Sequence, residues 1–185
     1  MKFLELDLEN IIFENLQTKE GRELLNERGL DVFNEIKYSK RQLRIGSYGI
    51  TDIVTYTPQL VNEKIYEILQ MKQIQIVELK KNEINIDTLL QSVRYLKGIK
   101  RYLRGRGYDP DEYRFEIILI GKSVNKGDWI YLNEIIQDYT FFSLYIYTYN
   151  YKINGILFDN ITLNYHLSEE GFENLWEKEN LKSWK

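Results

Sequence analysis

The chain has 185 residues with 43% hydrophobic side chains, 15 tyrosines and 8 phenylalanines, enough for a compact domain with a real core and too apolar for a disordered chain. Cysteine is absent, which excludes disulfides, thiolate zinc sites and cysteine nucleophiles and points to a reducing, intracellular compartment. A net charge of -3 with a pI near 5.4 argues against a protein that coats nucleic acid through bulk charge, but leaves room for local basic patches.

The opening residues MKFLELDLEN alternate acids with leucines, a pattern unlike a signal peptide, and no run of about 18 apolar residues occurs, so a cytoplasmic location without a membrane span is expected. Alanine is absent while Ile, Asn, Lys and Tyr are heavily used, a bias that AT-rich codons produce in phage and some bacterial genes. From Lys2 to about Lys19, Leu4, Leu8, Ile11, Ile12 and Leu16 recur at helical spacing, with Glu5 and Glu9 on the border of the apolar stripe and Glu14 away from it. A second short helix is expected over Arg22 to Glu27, a turn at Gly29, and a strand near Val32 to Tyr38. Two strands then flank Gly46 to Gly49. The second, Ile50 to Tyr56, carries one charge, Asp52, which is costly inside an apolar strand unless something pairs with it.

After Pro58 a further strand is expected over Lys64 to Leu69, and a tight turn at Met71 to Gln73 leads into IQIVELK. Residues two apart on a strand share a face, so Glu78 and Lys80 point one way and Val77 and Leu79 the other. Asp87 is the expected N-cap of a helix through about Arg104, on which Gln91 and Tyr95 lie side by side. Gly105 and Gly107 end that helix, and Phe115 to Ile120 is a central strand expected to pair parallel with the Glu78 strand. A short helix over Trp129 to Ile136, a strand over Phe141 to Tyr149, a turn at Asn154-Gly155, a strand over Ile156 to Leu163 and a helix capped by Ser168 complete the chain. His166, the single histidine, reads as a surface or core residue rather than a general base. The aromatic run Tyr145 to Tyr151 reads as sheet packing rather than a stacking surface for bases. Two basic blocks stand out: Lys37, Lys40, Arg41 and Arg44, and the six basic residues from Arg94 to Arg106 with no acid among them.

An acid on the first helix, Gly49-x-x-Asp52, Glu78-Leu79-Lys80 and Gln91-x-x-x-Tyr95 together resemble the PD-(D/E)XK nuclease superfamily, in its branch with a Q-x-x-x-Y helix motif, over about residues 1 to 121. Thr51 stands where the name's proline would be, and the gap from Asp52 to Glu78 is long. The resemblance implies an α/β fold: a restriction-endonuclease-like α-β-β-β-α-β core with a mixed central sheet flanked by helices. Residues 122–185 would add a C-terminal β-hairpin and helix within one domain. It implies a catalytic set of Asp52, Glu78, Lys80, Gln91 and Tyr95. Glu9, with Glu5 as the competing choice, would join Asp52, Glu78 and the Leu79 carbonyl as ligands of Mg²⁺ or Mn²⁺. The implied activity is metal-dependent phosphodiester hydrolysis, as a DNA endonuclease before an RNA enzyme, with Arg41, Arg44, Arg94, Lys97, Arg101 and Arg104 tracking the nucleic-acid backbone and a homodimer compatible with the fold. Two other readings compete. One is a catalytically silent nucleic-acid-binding or virion-associated accessory protein on the same fold; the other is a structural domain in which Asp52, Glu78 and Lys80 form a buried ion-pair network.

Overall fold

The computed structural model describes residues 5–33, 36–58, 72–129, 132, 142–153 and 155–162. Two helices, α1 (Glu5–Leu16) and α2 (Lys19–Glu27), precede β1 (Tyr38–Arg44), a single 3₁₀ turn (Gly46–Tyr48) and β2 (Ile50–Thr57). Then come β3 (Lys72–Leu79), the short β4 (Glu83–Ile84), α3 (Ile86–Gly105), β5 (Tyr113–Gly121), the short β6 (Ser123–Val124), β7 (Ser143–Lys152) and β8 (Gly155–Asn160). Six strands form one mixed sheet in the order β1-β2-β3-β5-β7-β8. Its central pairs, β3 with β5 and β5 with β7, are parallel, and β1 with β2, β2 with β3 and β7 with β8 are antiparallel. The series α1, β1, β2, β3, α3, β5 follows the α-β-β-β-α-β order expected from the sequence, with α2 added after the first helix and the short β4 before α3.

Each face of the sheet carries its own core. Ile74 and Ile76 of β3 and Phe115, Ile117 and Leu119 of β5 pack against Leu89, Leu96, Ile99 and Leu103 of α3. The alternate residues, Val77, Leu79, Ile118 and Ile120, pack with Tyr147 and Tyr149 against Leu8, Ile12 and Leu16 of α1 and Leu25 of α2. Strands covered on both faces are near-continuously buried, as a parallel centre requires. Tyr147 and Tyr149 therefore serve sheet packing, as expected from their alternation.

Several boundaries differ from the sequence reading, each for a local reason. The first helix stops at Leu16 instead of reaching Lys19, because Thr18 accepts a hydrogen bond from the Gly21 N–H at 3.0 Å and starts α2. A Cβ at Gly21 would meet the Asn15 carbonyl at 2.2 Å, so the elbow between the two helices needs glycine. The strand expected over Val32 to Tyr38 does not form among its described residues before Tyr38, where β1, the strand expected ahead of Gly46, begins. Phe33 is buried in the core, and the Val32 carbonyl accepts from Gln75 Nε2 at 2.7 Å rather than from a strand neighbour. Helix α3 is capped by Asn85 rather than Asp87: Asn85 Oδ1 accepts from Thr88 N at 3.0 Å, and Asp87 sits in the first turn. Strand β8 ends at Asn160, whose side chain accepts from the Thr162 N–H. The turn expected to run through Gln73 gives way to β3, which starts at Lys72. The expected Lys64–Leu69 strand, most of the Trp129–Ile136 helix, His166 and the Ser168-capped helix lie outside the described residues. No helix among the described residues is long and apolar enough to cross a membrane.

Candidate active site

The register of β2 and β3 creates the site. Ile53 pairs with Val77, so the next rung sets Asp52 opposite Glu78. Both carboxylates lie on the α3 side, as does Lys80 just past the end of β3. Two like charges directly opposite each other on neighbouring strands repel, so the sheet accepts them only with compensation. Part of it is visible: Asp52 Oδ2 accepts from the Leu79 N–H at 2.7 Å, and Lys80 Nζ donates to Glu78 Oε1 at 2.7 Å. Glu78 Oε2 has no hydrogen-bond partner among the described residues, although the residue is only 1% exposed. Burial pushes the Glu78 carboxyl up to about 7, with the charge of Asp52 adding and the Lys80 hydrogen bond opposing. Burial likewise pushes Asp52 up to about 6, against the Leu79 N–H and the Lys80 charge. Desolvation alone would lower Lys80, but its bond to Glu78 and the charges of Glu78, Glu5 and Asp52 outweigh it and raise the ammonium above its ordinary value.

Both candidate acids of α1 face this cluster, from different positions. Glu5 Oε2 accepts from the Lys81 N–H at 2.9 Å, at the end of β3, and its charge acts on Asp52, Glu78 and Lys80. Glu9 is 5% exposed and accepts from Gln42 Nε2 at 2.7 Å, its Oε1 is buried without a hydrogen-bond partner among the described residues, and its charge acts on Asp52. As the side chains stand, no three acidic or histidine groups among the described residues converge at metal-ligand spacing. The donors present nevertheless suit a hard divalent cation: carboxylate oxygens, two of them buried without partners, beside a lysine and without sulfur or imidazole.

Helix α3 closes the site from above. Gln91 Nε2 donates to Tyr95 Oη at 2.6 Å, and Tyr95 is 2% exposed. Its ring lies over Gly49, where a Cβ would meet Tyr95 Cε1 at 2.7 Å and where φ is +123°. The Gly49-x-x-Asp52 spacing thus has a physical content: the glycine lets the tyrosine of the Q-x-x-x-Y helix approach the start of the Asp52 strand. Arg94, Lys97, Arg101 and Arg104 are exposed along one stripe of α3 spanning about 15 Å at 1.5 Å rise per residue. Arg94 lies 5.8 Å from the Tyr95 ring centre. The β1 arginines separate. Arg44 lies beside α3 at a cavity that Arg101 also lines, whereas Arg41 donates to Asn10 Oδ1 at 2.7 Å and covers the Phe13 ring, both on α1.

The residue that sequence reasoning missed is Gln42. Arg41 pairs with Ile53 and Leu43 with Thr51, so Gln42 occupies the rung of Asp52, at φ +51°. A non-glycine residue in that left-handed region is strained, and such strain gathers at functional sites. Here it aims the amide at Glu9. No pattern of residue types marks such a φ. Gln42→Gly and Gln42→Ala both remove the amide and differ in tolerance of the left-handed backbone. Urea denaturation is expected to find the glycine variant more stable than the alanine variant by about 1 kcal/mol; equal stabilities would show the position unstrained.

No family model and no curated protein matches the chain. Among solved structures, the crystal structure of a repair endonuclease from Pyrococcus abyssi is similar at 19% identity and a TM-score of 0.44, over 78% of this chain and 46% of that one. The chain thus spans less than half of the endonuclease's length.

Proposed function

We propose that this chain is a metal-dependent nuclease that hydrolyses phosphodiester bonds, with DNA as its substrate. The observation that carries the reading is the buried rung of opposed carboxylates, Asp52 and Glu78, with a lysine ammonium 2.7 Å from one of them and an oxygen of the same group left without a partner among the described residues. Such a rung is unfavourable for the fold alone and suits a cation and a phosphate. Asp52 and Glu78, with Glu9 or Glu5 from α1 and the Leu79 carbonyl, would hold Mg²⁺ or Mn²⁺. The ion supplies Lewis-acid stabilisation of the charge that builds on the phosphate.

Lys80, kept protonated by its acidic neighbours, orients the attacking water and donates toward the charged phosphate oxygens. Water oxygen bonds to phosphorus, the bond from phosphorus to the sugar oxygen breaks, and the proton lost by water ends on the leaving oxygen or solvent. Gln91 and Tyr95 fix the wall of the site, and the α3 stripe engages neighbouring phosphates, which makes binding fall with salt. The test is incubation of the chain with single-stranded, double-stranded and branched DNA and with RNA, in Mg²⁺, Mn²⁺ or EDTA. Cleavage of DNA in either metal and none in EDTA is expected; no cleavage of any substrate would overturn the reading. A nucleic-acid-binding protein without turnover is the second reading, favoured by the lack of three converging acids among the described residues. Retained binding without cleavage would select it.

A further inference from the structure

We propose that the cavity beside the active site, between α3 and the β1–β2–β3 half of the sheet, is a pocket for an unstacked nucleobase, so that the chain engages single-stranded nucleic acid. The inference deepens the nuclease reading by naming the form of its substrate. The cavity has a volume of about 730 Å³, within the roughly 300–1,000 Å³ of pockets that take small organic ligands. Its walls are apolar, and among the described residues four tyrosines line it (Tyr48, Tyr56, Tyr102 and Tyr113), with Arg44 and Arg101 as the charged lining residues and no acid. Planar walls with cationic groups among them match a base joined to its phosphates: the base stacks and the phosphates pair with guanidinium. A purely hydrophobic partner would leave the two arginines unused.

The position relative to the catalytic groups supports the same occupant. Val54, in the cavity wall, follows Asp52 by two residues on the same face of β2, a step of about 7 Å. On α3, Gly98 and Ile99 of the wall come about one turn after Tyr95. Tyr48 lines the cavity and directly precedes Gly49, against which the Tyr95 ring lies. A Cβ at Gly98 would meet the Tyr48 ring at 2.7 Å, so the missing side chain seats that ring against the helix. Its hydroxyl is 3.5 Å from Arg101 Nη1, and Arg101 belongs to the basic stripe. A strand with one phosphate at Asp52 therefore has a neighbouring base within reach of the tyrosines. Tyr102 is 60% exposed at the cavity and can be replaced without opening the core.

The experiment measures binding of the full chain, in EDTA, to fluorescein-labelled oligothymidylate and oligouridylate 15-mers and to abasic strands of equal length and matching sugar. Wild type is compared with Tyr102→Ala and Arg101→Ala. The base-bearing strand of at least one sugar is expected to bind about tenfold more tightly than its abasic counterpart. Tyr102→Ala should remove that preference without weakening abasic binding, and Arg101→Ala should weaken both. Equal binding of base-bearing and abasic strands for both sugars, or a preference untouched by Tyr102→Ala, overturns the proposal. Because the measurement needs neither metal nor turnover, a preference seen in a chain that cleaves nothing would retain the pocket and discard the nuclease.

Discussion

Glu78→Gln is expected to reduce DNA cleavage by at least about a thousandfold, and Lys80→Ala by about a hundredfold to a thousandfold, while DNA binding in chelator stays close to wild type. A thousandfold corresponds to about 4 kcal/mol of barrier. Glutamine preserves the shape of Glu78 and can still accept from Lys80, but it removes the negative charge that a divalent cation needs. The loss therefore reports charge rather than packing. Lys80→Ala acts differently: it leaves Glu78 buried without its ammonium, removes the donor proposed to face the phosphate and pushes the carboxyl further up. Arginine at this position is not expected to restore activity, since its planar fork cannot stand in for a compact ammonium at a 2.7 Å contact.

Kinetics of all three variants, with binding measured in parallel, separate the catalytic reading from the structural one. A pair that served only the fold would show its loss as unfolding, because breaking one partner of a buried ion pair typically costs about 3–5 kcal/mol. Folded, DNA-binding variants that cleave at the wild-type rate would remove Glu78 and Lys80 from the mechanism.

Much of this site was legible in the sequence because it rests on short-range periodicity. The two-residue repeat of a strand fixes Glu78 and Lys80 on one face, and the four-residue spacing of a helix joins Gln91 to Tyr95. An aspartate alone in an apolar strand was likewise visible as a cost awaiting a reason. Features that depend on how elements meet were not legible. Glu5 and Glu9 lie one turn apart on the same helix; what separates them is that one reaches the Lys81 N–H at the end of β3 and the other the Gln42 amide on β1. Arg41 and Arg44 form a single basic block in the sequence, yet Arg41 meets Asn10 and Phe13 of α1 while Arg44 lines the cavity beside α3. The strand expected at Val32 failed for a similar reason, since a buried polar side chain on β3, Gln75, claims the Val32 carbonyl across the fold.

In chelator, wild-type stability is expected to fall relative to Glu78→Gln as the pH rises from about 4.5 to 7.5, and Mg²⁺ should recover it only at the upper end. The sign follows from the direction of the shifts. Folding raises Glu78 from 4.5 to about 7 and Asp52 from 3.8 to about 6, so between those values the native state binds more protons than the unfolded chain. Stability linked to these groups is full below about 4, declines as each carboxyl ionises in the buried rung, and is lost above about 7. Glutamine mimics the protonated acid at every pH, so subtracting its melting temperature cancels the titration of the remaining carboxylates. The wild-type deficit at pH 7.5 should be on the order of 2–3 kcal/mol, or roughly 5–10 °C in melting temperature for a chain of this size. A cation held by the ionised pair stabilises the native state by mass action, and protons displace it at low pH. Calorimetry of both proteins at pH 4.5, 6 and 7.5, with Mg²⁺ and with EDTA, checks each part. A difference that does not change with pH would mean that Glu78 ionises as freely in the folded protein as in water, and the strained carboxylate rung on which the catalytic reading rests would not exist.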